Sequence, residues 1–355
     1  MEKVVGQRMP QAKYHHRIPK TYLSSWCFSG NTIWTYDKLC NFKKERNIEK
    51  ICGMNYFHSI KAGSIYATEE DLMKIYSPLA DYNVEYNGKM LEGPEEFNQY
   101  FLDFDEWDIY YKDMSRISKS KRNELKSLLS QTVVNEIEEQ WNVTLENDWN
   151  NFKNTITATV LDIKNGMNVF LTKKEKDKLL KYFTMYEWRG LIGNEQLNRV
   201  FKWLFEELNV LDDFAIPEED RVYKYDETVK SEIHHSFLLK AYREFLNDDG
   251  VMYKYYEIYK ENLTMLFILA PDDFNFITSD NPCFTFENEK GYKEPILPIS
   301  PKILLSLAKK DPQEPDAYKI LDINREEAKC YNKVIYEQGN LILSIDENHL
   351  DELIS

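Results

Sequence analysis

The chain has 355 residues, with 45 Lys and Arg against 60 Asp and Glu, for a formal net charge of −15. Hydrophobic residues make up 43% and aromatics 14%, which excludes a disordered chain and supplies enough apolar side chain for a substantial core. That acidity excludes a nonspecific nucleic-acid coat or an anionic membrane surface as the main partner, and no apolar run approaches the roughly 18 residues of a membrane span.

The opening stretch, MEKVVGQRMPQAKYHH, has no apolar core of the kind a signal peptide or anchor needs. The five cysteines (Cys27, Cys40, Cys52, Cys283 and Cys330) are odd in number and show no CxxC spacing. Reduced thiols in a cytoplasmic protein with no membrane partner are therefore expected. The charge is uneven. Residues 1–50 carry a balance of +6 and the remaining 305 a balance of −21, so a local basic site sits on an acidic body.

Pro19 stops any helix before it, Ser29-Gly30-Asn31 is a turn, and Thr32–Tyr36 alternates as a short strand. A second strand or loop is expected over Ile51–Phe57. Thr68 caps a helix with Leu72, Ile75 and Leu79 on one face, interrupted at Pro78. Residues 86–115 are acidic and aromatic, and Phe104, Trp107 and Tyr110 read as packing. Lys119–Phe152 reads as one helix with Leu125, Leu128, Leu129, Val133 and Ile137 on its apolar face. Thr172 and Glu175 form a capping box that opens a helix running to Trp188, ended or kinked at Gly190 and Gly193. Helical spacing resumes over Asn198–Leu208, Glu227–Leu246 and Tyr253–Asn262. Short apolar runs at Leu263–Ala270, Phe274–Thr278, Cys283–Phe286 and Ile303–Ala308 read as strands. Asn324–Glu337 returns to helix, and Asn340–Ile345 is a final strand. The expected fold is α+β, a helix-rich centre with a small mixed sheet built from N-terminal and C-terminal strands. One domain over 1–355 is expected, β-containing at 1–60, helical at 68–262 and β-containing at 263–355.

Four segments together resemble a bacterial family catalogued as domain-of-unknown-function family 4238. They are His16-Arg17-Ile18-Pro19 leading to Tyr22-Leu23 and Trp26, the Ile33–Asp37 strand, Phe183–Arg189, and Phe276-Ile277-Thr278-Ser279-Asp280-Asn281-Pro282 followed by Pro298–Pro301. Asn324, Ala328 and Val334-Ile335-Tyr336 close the pattern. Tyr186 stands where the family pattern carries Gln. The resemblance implies that His16, Arg189 and Asp280 belong to one arrangement, and it brings no established activity.

His16, on a loop before a rigid Pro, suits a general base, a phosphate contact or a metal ligand, and equally a structural histidine pinning the arm. Asp280 in Asp-Asn-Pro either closes an Asx turn with Asn281 or presents a carboxylate to a metal or water. Arg189 suits a phosphate, or an internal carboxylate such as Asp280 or Glu187. His15 is a secondary candidate. So are His234 and His235, although neither an HExxH nor an i+4 histidine supports zinc there. P-loop, dinucleotide, serine-hydrolase and zinc-ribbon signatures are absent. The leading expectation is a hydrolase acting on a phosphate-containing substrate, a nuclease of defence or mobile-element type. Asp280 and His16 would hold a divalent metal such as Mg, His16 would act as base or acid, and Arg189 would stabilise phosphate charge. Its partner would be a nucleic acid or nucleotide at the local basic site. The alternative is a non-catalytic sensor or adaptor that binds a small anion or a protein partner, and an acidic nucleic-acid mimic ranks below both.

Overall fold

Strands read at opposite ends of the chain meet in one sheet, ordered Thr278–Ser279, Leu341–Ser344, Thr32–Asp37 and Phe42–Asn47, and antiparallel throughout. The computed structural model describes residues 13–190, 197–199, 202–207, 214–287, 291–310 and 318–354. Within them the architecture is α+β. The chain divides into two compact units, each drawn from separated stretches, and the division cuts across the expected β, helical and β zones. The first unit comprises residues 1–15, 55–140 and 201–243; the second comprises 16–54, 141–200 and 244–355. No helix among the described residues is long and apolar enough to cross a membrane.

The second unit also holds a five-stranded sheet, ordered Phe284–Glu287, Lys293–Ser300, Ile303–Lys309, Leu263–Leu269 and Lys319–Asp322. Its last pairing is parallel, which makes this sheet the mixed one. Lys293–Ser300 escapes a sequence reading because Pro295 and Pro298 lie inside it. Proline lacks the ladder donor, and the register shifts between Pro298 and Ser300. Conversely, of the strand expected over Phe274–Thr278 only the end pairs, as Thr278–Ser279. The Phe276 and Ile277 N–H groups are taken instead by the Pro301 carbonyl and the Asn332 side chain. Helix Arg325–Gln338, opened by an Asn324–Glu327 capping box, buries Ala328 and Ile335 against Tyr36, Phe276, Ile342 and Leu350.

The single helix expected over Lys119–Phe152 is instead three: Lys119–Gln131, Glu136–Thr144 and Trp149–Lys164. The first break falls where β-branched Val133–Val134 pairs with Ile60–Lys61. Trp149–Lys164 is rich in Asn and Thr, which weakens its helical signal, yet it buries Trp149, Phe152, Ile156 and Val160 at spacings of three and four. Gly193 and parts of Asn198–Leu208 lie outside the described residues; Lys202–Glu207 is helical.

In the first unit the acidic, aromatic stretch contributes to a three-stranded sheet of Lys89–Met90, Tyr82–Tyr86 and Asp108–Tyr111, over buried Phe104 and Trp107. Helix Glu69–Ile75 starts with a Thr68–Asp71 capping box. The same Asp71 carboxylate accepts two hydrogen bonds from Arg243, at 2.6 and 3.0 Å. Burial pushes the Asp71 carboxyl up, but the bonds from Arg243 and Thr68 outweigh it and hold the group below the usual range. A depressed carboxyl stabilises the fold fully above its unfolded value of about 3.9 and loses that contribution as pH falls through the lower folded value. Urea unfolding from about pH 5 down to pH 2 should therefore show a stability loss that flattens in Asp71→Asn, a variant that is already less stable at neutral pH.

Candidate functional site

Arg189 is fully buried in the second unit, at the end of helix Lys173–Arg189. Its Nε donates to the Arg17 carbonyl at 2.9 Å, and its terminal nitrogens reach the His16 carbonyl and the Glu146 carboxylate. The guanidinium also lies 5.1 Å from the Trp141 ring centroid. Its carboxylate partner is thus Glu146. Of the two expected partners, Glu187 takes the Tyr259 hydroxyl and Asp280 faces Arg17. Asp280 Oδ1 accepts the Asn340 and Leu341 N–H groups at 2.9 and 3.1 Å, and Oδ2 is 3.9 Å from Arg17. Asn281 is buried so close to Gly190 that a Cβ there would lie 2.7 Å from its Oδ1. The His16 ring donates from Nε2 to the Ile48 carbonyl at 3.1 Å.

His16, Arg189 and Asp280 therefore share one arrangement, joined through the His16 backbone and the Arg17 side chain. Their polar atoms hold chain segments together: Arg189 the Pro19 approach, Asp280 the start of the last strand. The same logic runs through the aromatic motif residues. Tyr22 OH reaches Thr278 Oγ1 at 2.8 Å and the Pro298 carbonyl at 2.9 Å, and Trp26 Nε1 donates to the Phe276 carbonyl at 3.1 Å. Tyr186, at the position of the family's Gln, packs its ring 4.6 Å from that of Tyr22.

The first unit assembles a different constellation. One ligand atom each from His15, His58 and Glu138 lie within 4.8 Å of one another, the one such group of three among the described residues. The donors of His16 and Asp280 belong to no such group. Both imidazoles are fully buried and stacked, ring centroids 5.8 Å apart, while the Glu138 side chain keeps 15% exposure. His58 Nδ1 lies 2.6 Å from Glu138 Oε2, so this nitrogen carries the hydrogen. His15 Nδ1 accepts the His58 backbone N–H at 3.0 Å. His235 completes the support: its Nε2 is 2.9 Å from the Phe57 carbonyl and its Nδ1 3.1 Å from Asp226. His234, the neighbouring candidate, is only partly buried and is not in the group.

Two imidazoles and a carboxylate are the donor set of many zinc, iron and manganese sites. Nitrogen donors fit Mg poorly, since it takes oxygen ligands and water. Thiol chemistry is disfavoured, because burial pushes the Cys27, Cys52 and Cys283 thiols up, Cys52 to about 12.

A family model described as "Protein of unknown function (DUF4238)" matches residues 14–342. The chain belongs to that family. No curated protein and no solved structure matches it. The matched span contains every DUF4238 motif residue of the second-unit arrangement as well as His15, His58 and Glu138.

His58 and Glu138 are absent from the sequence-level candidates. His58 follows the expected Ile51–Phe57 strand as an isolated histidine, and Glu138 reads as one charge on a helix face. The usable signal was rarity, since the chain has only six histidines.

For the buried pair, Glu146→Ala or Arg189→Ala should each cost about 3–5 kcal/mol in urea unfolding by stranding a charge. Joint replacement by apolar residues (Glu146→Leu with Arg189→Met) should recover part of that loss.

Proposed function

We propose that this DUF4238 protein is a metal-dependent hydrolase acting on a phosphate-containing substrate, its metal held by His15, His58 and Glu138. The observation that carries the reading is the convergence of these three donor side chains, the two imidazoles fully buried and the carboxylate partly exposed. A divalent ion held by these residues would supply Lewis-acid chemistry, lowering the pKa of a water and neutralising charge on a phosphoryl group. Zinc or manganese suits the donors better than Mg.

The Glu138–His58 side-chain bond and the His58 N–H to His15 bond belong to the metal-free state. Coordination at about 2.0–2.2 Å requires the 2.6 Å Glu138–His58 contact to open by a fraction of an ångström. Because the contacts to Glu138 and His15 hold His58 in place without an ion, chelation should abolish turnover while leaving the fold in place.

The assay is hydrolysis of bis(p-nitrophenyl) phosphate, p-nitrophenyl phosphate, DNA and RNA by the purified protein with Zn²⁺, Mn²⁺ or Mg²⁺. His58→Ala and Glu138→Gln should each lower kcat by at least about 100-fold, with melting temperatures followed in parallel. Undiminished turnover in both variants would overturn the site. A centre at His16, Arg189 and Asp280 is the competing reading, favoured by their shared arrangement. It requires Asp280→Ala to abolish turnover in a protein that keeps its fold. Metal binding without turnover of any substrate would favour the sensor or adaptor alternative.

A further inference from the structure

Acidic residues outnumber basic ones over the whole chain, but one cleft of the second unit reverses the ratio. It has a volume of about 290 Å³ and is lined by Lys173, Lys176, Lys260 and Lys310 against only Asp177 and Glu261. Its floor is apolar, formed by Leu180 with Leu263, Met265 and Leu307 of the five-stranded sheet.

The fold brings these cations together from three places. Lys173, Lys176 and Leu180 fall at i, i+3 and i+7 on one face of helix Lys173–Arg189. Lys260 lies in the last turn of helix Gly250–Asn262. Lys310 follows strand Ile303–Lys309, and its backbone N–H donates to the Asn262 carbonyl at 2.9 Å, which fixes it beside that helix end. Asp177, 3.6 Å from Lys260, and Glu261 in the lining offset part of this charge, and Glu257 lies 4.0 Å from Lys260.

The arrangement carries an electrostatic cost. Lys173 and Lys176 occupy the first turn and a half of their helix, where the backbone dipole is already positive and a cation is unfavourable. The four ammonium groups also outnumber the two carboxylates of the lining, which leaves net positive charge in the cleft. An anion in the cleft offsets both.

We propose that this cleft binds a small phosphorylated ligand, its phosphate among the lysines and its organic part on the apolar floor. Lysine ammoniums serve as point-charge partners for phosphate, and a polyphosphate dianion or trianion can meet several of them at once. The volume is at the lower end of ligand pockets, about 300 Å³, which fits a mononucleotide or sugar phosphate. A nucleic-acid strand is disfavoured by that size and by the net charge of −15. The inference does not depend on the histidine-carboxylate centre.

The test is calorimetric titration of the full-length protein, without added metal, with ATP, inorganic pyrophosphate, inorganic phosphate and adenosine. ATP and pyrophosphate should bind and adenosine should not. Affinity should fall as salt rises from about 50 to about 200 mM. Lys310→Glu and Lys173→Glu, both tolerable at the surface, should each weaken ATP binding at least about tenfold. Lys254→Glu, on helix Gly250–Asn262 but outside the cleft, should leave it unchanged. Tighter binding of ATP than of pyrophosphate assigns a nucleotide, and equal binding assigns a free polyphosphate; both support the cleft. No binding of either up to about 1 mM would overturn the proposal, since that is weaker than about −4 kcal/mol. Binding untouched by both cleft variants, or an oligonucleotide that outcompetes ATP through the same lysines, would also overturn it.

Discussion

The candidate centre of the first unit rests on a single peptide group, the one between Phe57 and His58. Its carbonyl receives the His235 Nε2 hydrogen at 2.9 Å, and its N–H donates to His15 Nδ1 at 3.0 Å. Two histidines thus clamp the peptide from opposite ends, and each bond polarises the other through the amide. His235 is held in turn by Asp226 and by ring contacts with Phe57 and Tyr223. The outcome is a fixed backbone at His58, whose ring Nδ1 meets Glu138 Oε2 at 2.6 Å. Metal-ligating histidines commonly depend on such outer hydrogen bonds to set ring orientation and tautomer. In this unit they come from both sides of the backbone that carries the residue.

The second unit depends on a comparable economy of donors. The Arg189 guanidinium meets two backbone carbonyls, a buried carboxylate and an indole face. A planar five-donor group suits that task, and Lys could not reproduce it. Tyr22 and Trp26 then fasten the N-terminal segment to residues 276–298, and Asp280 fastens residue 279's strand to the last one. The DUF4238 motifs of this unit are in this sense the joints of a discontinuous fold. Residues hundreds of positions apart must find one another, and polar side chains with fixed geometry specify where they meet.

Local chemistry was legible in the sequence wherever a few neighbouring residues decide the structure. The Thr172–Glu175 capping box, the helix from Asn324, the strand from Leu263 and the joining of terminal strands were all read from the sequence. The family resemblance implied the common arrangement of His16, Arg189 and Asp280, whereas the Asx turn expected at Asp280 gives way to a long-range contact, its Oδ1 accepting the Asn340 and Leu341 N–H groups. What escaped depends on long-range partners. Prolines inside Lys293–Ser300 conceal a strand: Pro295 pairs in register with Thr285, and a register shift follows Pro298. Val133–Val134 breaks a helical period because Ile60–Lys61 offers it a partner. Glu146 became the Arg189 partner from 43 residues away, and His58 met Glu138 across 80. No spacing rule joins such pairs in a single sequence. The charge asymmetry shows the same limit: the sequence located positive charge near the N-terminus, whereas folding gathers four lysines from positions 173–310 into one cleft.

The central claim is that His15, His58 and Glu138 form a metal centre. X-ray absorption at the metal edge of the full-length protein, loaded with one equivalent of Zn²⁺ or Mn²⁺, tests it most directly. The account predicts a first shell at about 2.0–2.2 Å with two imidazole nitrogens and a carboxylate oxygen, and the loss of one imidazole in His58→Ala. An all-oxygen shell, or a spectrum unchanged in both His58→Ala and Glu138→Gln, would contradict it.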